Sequence, residues 1–239
     1  MAGRAAGRQQ PVWLFDLDDT LHDASNASMA ELRVAMGDYI TRELGISSEE
    51  SNALRRRYWL HYGATLLGLV RHHNVKAAHF LHHTHQLPGL ETRIRGHSHD
   101  LAALARLPGR KYILTNAPAA YARRVLGVLG IEGWFDGLIS IEDMHMFGHL
   151  RPKPDARMLR QVAARLGVPP ARCVLVEDSC DNLKGARRVG MHTVWMRRWL
   201  PAGASRLRAR RCPAYVDQRV PSLRALERLA GRYASKRGR

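Results

Sequence analysis

The feature that most limits what this chain can fold into is an alternation of short apolar runs with helix-like segments. Five runs have the composition of strands: VWLF (12–15), YILT (112–115), LIS (138–140), CVLV (173–176) and TVWM (193–196). Between the later runs, proline opens and glycine closes the helical stretches, as is usual at helix ends. Apolar strands separated by helices form parallel sheets that are covered on both sides. The sequence therefore predicts an α/β fold, a Rossmann-like parallel sheet with helices on both faces.

A long segment after the first strand interrupts this alternation. Its pattern is helical throughout, and Ser47 with Glu50 has the spacing of a capping box. An insertion at this point predicts a small helical cap domain above the sheet. We expect a core domain formed by residues 11–23 and 97–231, a cap domain formed by residues 24–96, a disordered tail over residues 1–10 and a basic tail over residues 232–239.

Composition places the chain among ordinary globular proteins. It has 239 residues, 45% of them hydrophobic and 25% charged. No run approaches the roughly 18 uninterrupted apolar residues that a membrane helix needs, and no apolar stretch follows the first residues as in a secretory signal. The three cysteines form no C-x-x-C pair, and their odd number argues against a disulfide framework. These features predict a cytoplasmic protein without membrane contact.

Basic charge is concentrated near the end of the sequence. The formal net charge is +17, and residues 197–239 contain thirteen Lys or Arg against two acids. Such a region could contact nucleic acid. No interleaved aromatic residues or recognised binding motif accompany it, which favours a solvated basic end. A nucleic-acid-binding protein on an inactive fold remains an alternative of a different class.

Polar side chains follow three of the five predicted strands. They are Asp16 and Asp18 after the first, Thr115 and Asn116 after the second, and Glu177 and Asp178 after the fourth. Each pair alone could be a turn or a helix cap. Ligands of parallel α/β sheets bind beyond the carboxyl ends of the strands, so the joint placement favours a site. Gathered carboxylates repel one another, and a hard cation such as Mg²⁺ relieves this repulsion through oxygen ligands.

Four ordered segments resemble the motifs of the haloacid dehalogenase (HAD) superfamily: DLDDT (16–20), LTN (114–116), RPKP (151–154) and VEDSCDN (176–182). The resemblance covers most of the chain, from about Val12 to Met196. It implies a Mg²⁺-dependent phosphomonoester hydrolase that works through an aspartyl-phosphate intermediate. The second acid, Asp18, favours phosphoryl transfer, because dehalogenase members lack it.

The resemblance also implies a catalytic role for each matching residue. Asp16 would be the nucleophile, and Asp18 would protonate the leaving oxygen and later activate water. Thr115 and the Asn116 backbone would hold the phosphoryl group. Lys153 would stabilise the negative charge that grows in the transition state, beside the nucleophile and the phosphoryl oxygens.

A metal site follows from the same resemblance. Asp16, Asp178 and the main-chain carbonyl of Asp18 would bind Mg²⁺, with Glu177 as a direct or outer contributor. The family usually has a further acid four residues after the metal-binding one. Here that position is Asn182, with Asp181 beside it, so the last metal contact stays open.

The cap suggests a substrate. The pattern Tyr62-Gly63, then Gly68-Leu69, resembles the cap of the pyrimidine 5′-nucleotidase branch. It implies that Tyr62 binds substrate, and an aromatic helix here could stack a base, although such aromatics also pack in cores. The leading hypothesis is therefore a phosphatase for pyrimidine nucleoside monophosphates such as UMP and CMP. The alternative is a HAD phosphatase for another small metabolite, such as a sugar phosphate or pyridoxal phosphate.

Histidines crowd the second half of the predicted cap. His79, His82 and His83 share a helix face at a spacing that can bind a transition metal. No carboxylate or cysteine completes a ligand set, which favours exposed cap residues over a metal site.

Overall fold

The protein is seen here in a computed structural model that describes residues 10–199 and 212–233. Its strands are β1 (Val12–Phe15), β2 (Arg110–Leu114), β3 (Gly137–Ile139), β4 (His145–Met146), β5 (His149–Leu150), β6 (Cys173–Glu177), β7 (His192–Met196) and β8 (Gln218–Val220). Six of them form a parallel sheet in the order β3-β2-β1-β6-β7-β8. The short strands β4 and β5 form a separate antiparallel pair.

Helices lie on both faces of the sheet and in the inserted segment. They are α1 (Ala24–Ala27), α2 (Met29–Leu44), α3 (Ser48–Tyr62), α4 (Thr65–His73), α5 (Ala77–Thr84), α6 (Leu90–Arg93), α7 (Ser98–Arg106), α8 (Ala119–Leu129), α9 (Ala156–Arg165), α10 (Cys180–Arg188) and α11 (Arg224–Tyr233). The predicted fold class, a parallel sheet flanked by helices, is confirmed.

Two hydrophobic cores lie on opposite faces of the sheet because side chains alternate along each strand. Trp13 and Phe15 of β1 belong to the core that α7, α8 and α11 cover. Val12 and Leu14 belong to the other core, which α9 and α10 cover. β1 is therefore buried on both faces, as its uninterrupted apolar run predicts.

The helices α2 to α5 pack around a third, smaller core. Tyr39, Tyr58, Leu69 and Phe80 are buried in it. The predicted capping box is present: the Ser47 side chain accepts from the Glu50 N–H, and the Glu50 carboxylate accepts from the Ser47 N–H. This helical unit is the cap that the inserted segment predicted.

The cap and core meet earlier in the chain than predicted. Leu87, Leu90 and Ile94 are buried with Trp13 and Phe15 in the sheet core rather than with the cap helices. By these contacts the cap ends before Leu87, not at residue 96. The difference arises because α6 has a helical pattern like that of the cap but packs against the sheet.

The five strand predictions fall within two residues of the observed bounds, whereas β4, β5 and β8 were missed. β8 reads Gln-Arg-Val and lies at the sheet edge beside β7. Its short polar sequence carries no strand pattern, and pairing with its neighbour forms it. The predicted tails fall largely outside the described residues, as does much of the basic region. Within the described residues, no helix has both the length and the apolar character required to cross a bilayer.

Candidate active site

The carboxyl ends of β1, β2 and β6 bring the predicted motif residues to one edge of the sheet. Asp16 follows β1 directly, and its N–H donates to the Val176 carbonyl of β6 at 3.0 Å. Thr115 follows β2, and its N–H donates to the Ile139 carbonyl of β3 at 3.0 Å. Glu177 ends β6. Backbone hydrogen bonds therefore fix the positions of the Cα atoms that carry these side chains.

Lys153 joins two of the acids. Its ammonium donates to Asp16 Oδ1 and to Glu177 Oε2, each at 2.7 Å. Only 3% of Lys153 is exposed, and Glu177 is fully buried. Buried charges of this kind are stable only when paired and hydrogen-bonded. The interpretation of Lys153 as an exposed loop lysine is thereby excluded.

Burial and neighbouring charges set the ionisation of this trio. Burial, followed by the nearby Glu177 carboxylate, raises the pKa of Asp16 well above its ordinary value despite the Lys153 ammonium. Burial alone would also raise the pKa of Glu177, but the charge of Lys153 outweighs it and the net pKa is lowered. The two carboxylates together raise the pKa of Lys153 and keep it charged, although burial opposes this.

A third carboxylate completes an acidic cluster. Oxygens of Asp16, Glu177 and Asp178 all lie within 4.8 Å of one another. Burial, then the charges of Glu177 and Asp16, raise the pKa of Asp178 to about 10. One ammonium therefore faces three acids, so that ionising all three needs a further positive charge, and the all-oxygen donor set fits a hard divalent cation such as Mg²⁺. Asn182 lines the adjoining cavity, whereas Asp181 is exposed.

Asp18 lies beside this cluster with different partners. Its Oδ1 accepts hydrogen bonds from the Tyr121 hydroxyl and from the His22 ring, each at 2.9 Å. The pKa of Asp18 is lowered: burial would raise it, but the hydrogen bond from His22 and the charge of that ring outweigh burial. The Tyr121 hydroxyl also hydrogen-bonds Ser28 at 2.9 Å. The Asp18 carboxylate is thus held by partners that lie outside the acidic cluster.

Sequence reasoning missed both residues that hold Asp18. Tyr121 lies 103 residues away on α8, and nothing local links the two. His22 had a usable signal, because a histidine four residues after an acid can reach back to it. Only the structure shows that this histidine is fully buried.

Thr115 and Asn116 lie at the same edge with distinct contacts. Thr115 is buried, and its hydroxyl oxygen accepts from the Ala117 N–H at 3.0 Å. The Asn116 amide donates to the Lys153 carbonyl and accepts from the Lys153 N–H, each at 2.9 Å. These two hydrogen bonds tie the second motif to the loop that carries the lysine. Their predicted roles in holding phosphate remain predictions.

A cleft of about 1390 Å³ separates the cap from this sheet edge. Asp16, Asp18, Thr115, Asn116 and Lys153 all line its core side, so the structure brings the predicted catalytic and phosphate-binding residues together. Cap residues, chiefly of α2 and α3, line the opposite side.

Tyr62 is the predicted site residue that the structure does not bring to this cleft. Its hydroxyl hydrogen-bonds the His72 ring, and its side chain lines a separate pocket with His61 and His73. Tyr62 therefore lies outside the cleft, and its role in binding substrate stays a prediction. Of the neighbouring aromatics, Tyr58 is buried, whereas Trp59 is 62% exposed and lines the cleft.

Packing explains the cap pattern that suggested a nucleotidase. Gly63 ends α3 with a left-handed φ of 77°, a conformation that glycine adopts without strain. A Cβ on Gly68 would lie 2.1 Å from the Tyr58 ring, so only glycine lets α4 approach α3 this closely. Leu69 is fully buried. These residues end α3 and allow α4 to pack closely against it. Their spacing is therefore no evidence of a bound base.

The cap histidines are held by aromatic contacts. His79 hydrogen-bonds the Tyr39 hydroxyl at 2.8 Å and packs edge-to-face on His83 at 4.3 Å between ring centroids. Among the described residues, the acidic cluster of Asp16, Glu177 and Asp178 is the one group of three or more potential metal ligands.

The fold and site together place a buried lysine and an acidic cluster at the edge of a parallel α/β sheet, beneath a helical cap. A family model described as haloacid dehalogenase-like hydrolase matches residues 12–190. The chain belongs to this family. A HAD phosphatase from Thermococcus onnurineus has a similar structure, with a TM-score of 0.61 and 23% identity; the match covers 95% of this chain and 99% of that one.

Two curated relatives match the chain at modest sequence identity. A phosphoglycolate phosphatase (plasmid) from Cupriavidus necator is 29% identical over 226 residues, covering 91% of this chain and 94% of the relative. Phosphate metabolism protein 8 from Saccharomyces cerevisiae is 23% identical over 192 residues, covering 75% of this chain. The match spans 59% of the length of the yeast protein.

Proposed function

We propose that this protein is a Mg²⁺-dependent phosphomonoester hydrolase that acts on a small phosphorylated metabolite through an aspartyl-phosphate. The observation that carries the proposal is the position of the Lys153 ammonium. It donates a hydrogen bond to Asp16 Oδ1 at 2.7 Å, in the lining of the cleft. Asp16 itself belongs to the cluster of three acids. A nucleophilic carboxylate, a fixed cation and a second acid within one cleft are the groups that phosphoryl transfer needs.

The chemistry follows from these positions. A carboxylate oxygen of Asp16 attacks phosphorus, an oxygen–phosphorus bond forms, and the bond to the leaving oxygen breaks. Asp18 gives its proton to the leaving oxygen, and the negative phosphate favours the protonated form of Asp18 before this step. Asp18 then takes a proton from water, which attacks the same phosphorus, releases phosphate and restores Asp16.

Lys153 and the metal would offset negative charge in the site, and neither would attack phosphorus. In the transition state, negative charge shifts on the phosphoryl oxygens, and Lys153 stabilises this charge. When Mg²⁺ is bound by Asp16 and Asp178, with the Asp18 carbonyl and Glu177 as further candidates, it offsets carboxylate charge that would otherwise repel a phosphate dianion.

An activity assay tests the proposal. Purified full-length protein with Mg²⁺ should release phosphate from small phosphomonoesters, and EDTA should stop this release until Mg²⁺ is restored. Asp16→Asn should remove turnover, because the amide keeps the shape but is not nucleophilic. Asp38→Asn, the same change at an exposed cap position, is the matched control. Turnover that survives Asp16→Asn would remove Asp16 from the mechanism.

For the substrate, we propose a small metabolite of the sugar phosphate or phosphoglycolate kind. The nearly full-length match to a phosphoglycolate phosphatase supports this choice. Pyrimidine nucleoside monophosphates are a second candidate, favoured by the exposed Trp59 ring in the cleft, which could stack on a base. A phosphatase panel separates them: UMP and CMP should rank below the small metabolites, and the reverse order would establish the nucleotide alternative.

A further inference from the structure

The cap side of the cleft is strongly basic. Four arginines line it: Arg33 on α2, and Arg55, Arg56 and Arg57 on α3. The acids that line the cleft, among the described residues, are Asp16 and Asp18, and both belong to the core. A substrate in the cleft would therefore lie between the catalytic residues and a wall of positive charge.

Two of these arginines, Arg33 and Arg55, belong to neighbouring helices: a Cβ on Gly37, one turn after Arg33 on α2, would lie 3.8 Å from Arg55 Nη1. Burial, then the charge of Arg33, lowers the pKa of Arg55, which is half-buried. Arg55 donates to the neutral Asn52 side chain at 2.9 Å. Within the described residues, neither Arg33 nor Arg55 has a carboxylate at ion-pair distance. Their mutual repulsion is thus left without an internal counter-charge.

Two arginines outside the cleft, Arg93 and Arg124, do have acidic partners. Arg93 pairs with Glu31, which lies on α2 with Arg33, and Arg124 pairs with Glu91 at 2.6 Å. The cap and its surroundings therefore hold acids that balance arginines elsewhere, while the arginines that face the cleft stay unbalanced. An anion that enters the cleft would supply the missing charge.

We propose that Arg33 and Arg55 form a second anion subsite that selects phosphorylated substrates carrying a further negative group. This inference rests on the proposed hydrolase function and specifies its substrate class. The scissile phosphate would lie at Asp16 and Lys153, and the distal carboxylate or second phosphate would face the cap. A guanidinium binds both groups through paired hydrogen bonds. A doubly anionic metabolite is favoured over UMP.

Matched substrates test the subsite. 3-Phosphoglycerate and glycerol 3-phosphate differ by a distal carboxylate, and fructose 1,6-bisphosphate and fructose 1-phosphate differ by a distal phosphate. Wild-type protein should show a higher kcat/KM for the doubly anionic member of at least one pair, and the pair that responds identifies the distal group. Arg33→Gln and Arg55→Gln should each reduce this preference about tenfold, the loss expected for a charge-assisted hydrogen bond.

Arg71→Gln is the matched control. It removes the same charge from an exposed cap helix position whose guanidinium lies over the Tyr62 ring, outside the cleft. It should keep the wild-type preference. Equal kcat/KM within both pairs, or the same change of preference in the control and the cleft variants, would overturn the subsite.

Binding to Asp16→Asn protein makes the result independent of turnover. Calorimetry should show tighter binding of the doubly anionic member, and Arg33→Gln in this background should remove the difference. If the wild-type protein released no phosphate from any substrate, the hydrolase proposal would fail, and these affinities would still decide the subsite. Equal affinities would reject the subsite even where Asp16-dependent hydrolysis is present.

Discussion

At the scale of single residues, Asp18 depends on two side chains that hold its carboxylate. Tyr121 and His22 each donate to the same oxygen, which leaves the other oxygen free to meet a leaving group. A proton donor must keep its geometry to act in the transition state. In the proposed mechanism, Tyr121 and His22 would therefore be positioning residues that act through Asp18.

Tyr121→Phe tests this role. Loss of one hydrogen bond to the carboxylate should lower kcat by about tenfold, with little change in KM because the substrate does not contact the hydroxyl. Steady-state kinetics on the best substrate measures both constants. Tyr112→Phe, on strand β2 between β3 and β1, is the control. A rise in KM at unchanged kcat would show that Tyr121 acts in substrate binding instead.

Lys153 has a structural role as well as a catalytic one. Lys153→Met would leave Glu177 buried beside Asp16 and Asp178 without a counter-charge. Breaking such a buried pair costs about 3–5 kcal/mol, and turnover should be lost as well. Urea unfolding measures the stability change, with Lys184→Met on the exposed side of α10 as the control. Wild-type stability would mean that Glu177 takes up a proton or another cation.

At the scale of secondary structure elements, α10 supports the loop that carries Lys153. A Cβ on Gly185 would lie 2.4 Å from the Pro154 carbonyl oxygen and 2.9 Å from the Pro154 side chain. The helix can approach the loop this closely only at a glycine. The contact between Gly185 and Pro154 thus links the packing of the second core to the loop that carries Lys153.

Gly185→Ala should push α10 and the loop apart. Overpacking of this kind costs about 1–3 kcal/mol of stability, and displacement of Lys153 should lower kcat. Gly127→Ala is a matched helix change, because a Cβ there meets nothing within 4 Å. That control should be neutral or stabilising, since alanine favours helix. Full activity in Gly185→Ala would show that the loop adjusts without moving the lysine.

At the scale of the whole molecule, local patterns were enough to predict five of the six strands of the sheet and the order of its motifs. Asp16 could be placed because it directly follows the apolar run of β1. The contacts of Tyr121 could not, because they join elements far apart in the chain. Tyr62 was misplaced for a related reason: the contact between Tyr58 and Gly68 decides which side of α3 faces the core. Helix packing, rather than helix periodicity, set that orientation.

The high net charge makes a prediction about the whole chain. A formal charge of +17 destabilises the compact state through self-repulsion, and added salt screens it. Exposed ion pairs such as Arg42 with Glu43 weaken with salt but contribute about 0–1 kcal/mol each. The melting temperature should therefore rise as NaCl is increased from low to physiological concentration. Differential scanning fluorimetry measures this, and a falling melting temperature would show that ion pairs dominate.

The two ends of the segment inserted after β1, residues 24–96, lie next to each other. The Asp23 N–H donates to the Arg95 carbonyl at 3.1 Å, and the Arg93 guanidinium donates to the Ala27 carbonyl at 2.9 Å. An insertion whose ends meet can be exchanged as a module, since a replacement need only begin and finish at one point. Over evolutionary time, new chemical preferences could arise here by swapping or rebuilding the module while the strands and their aspartates stay as they are.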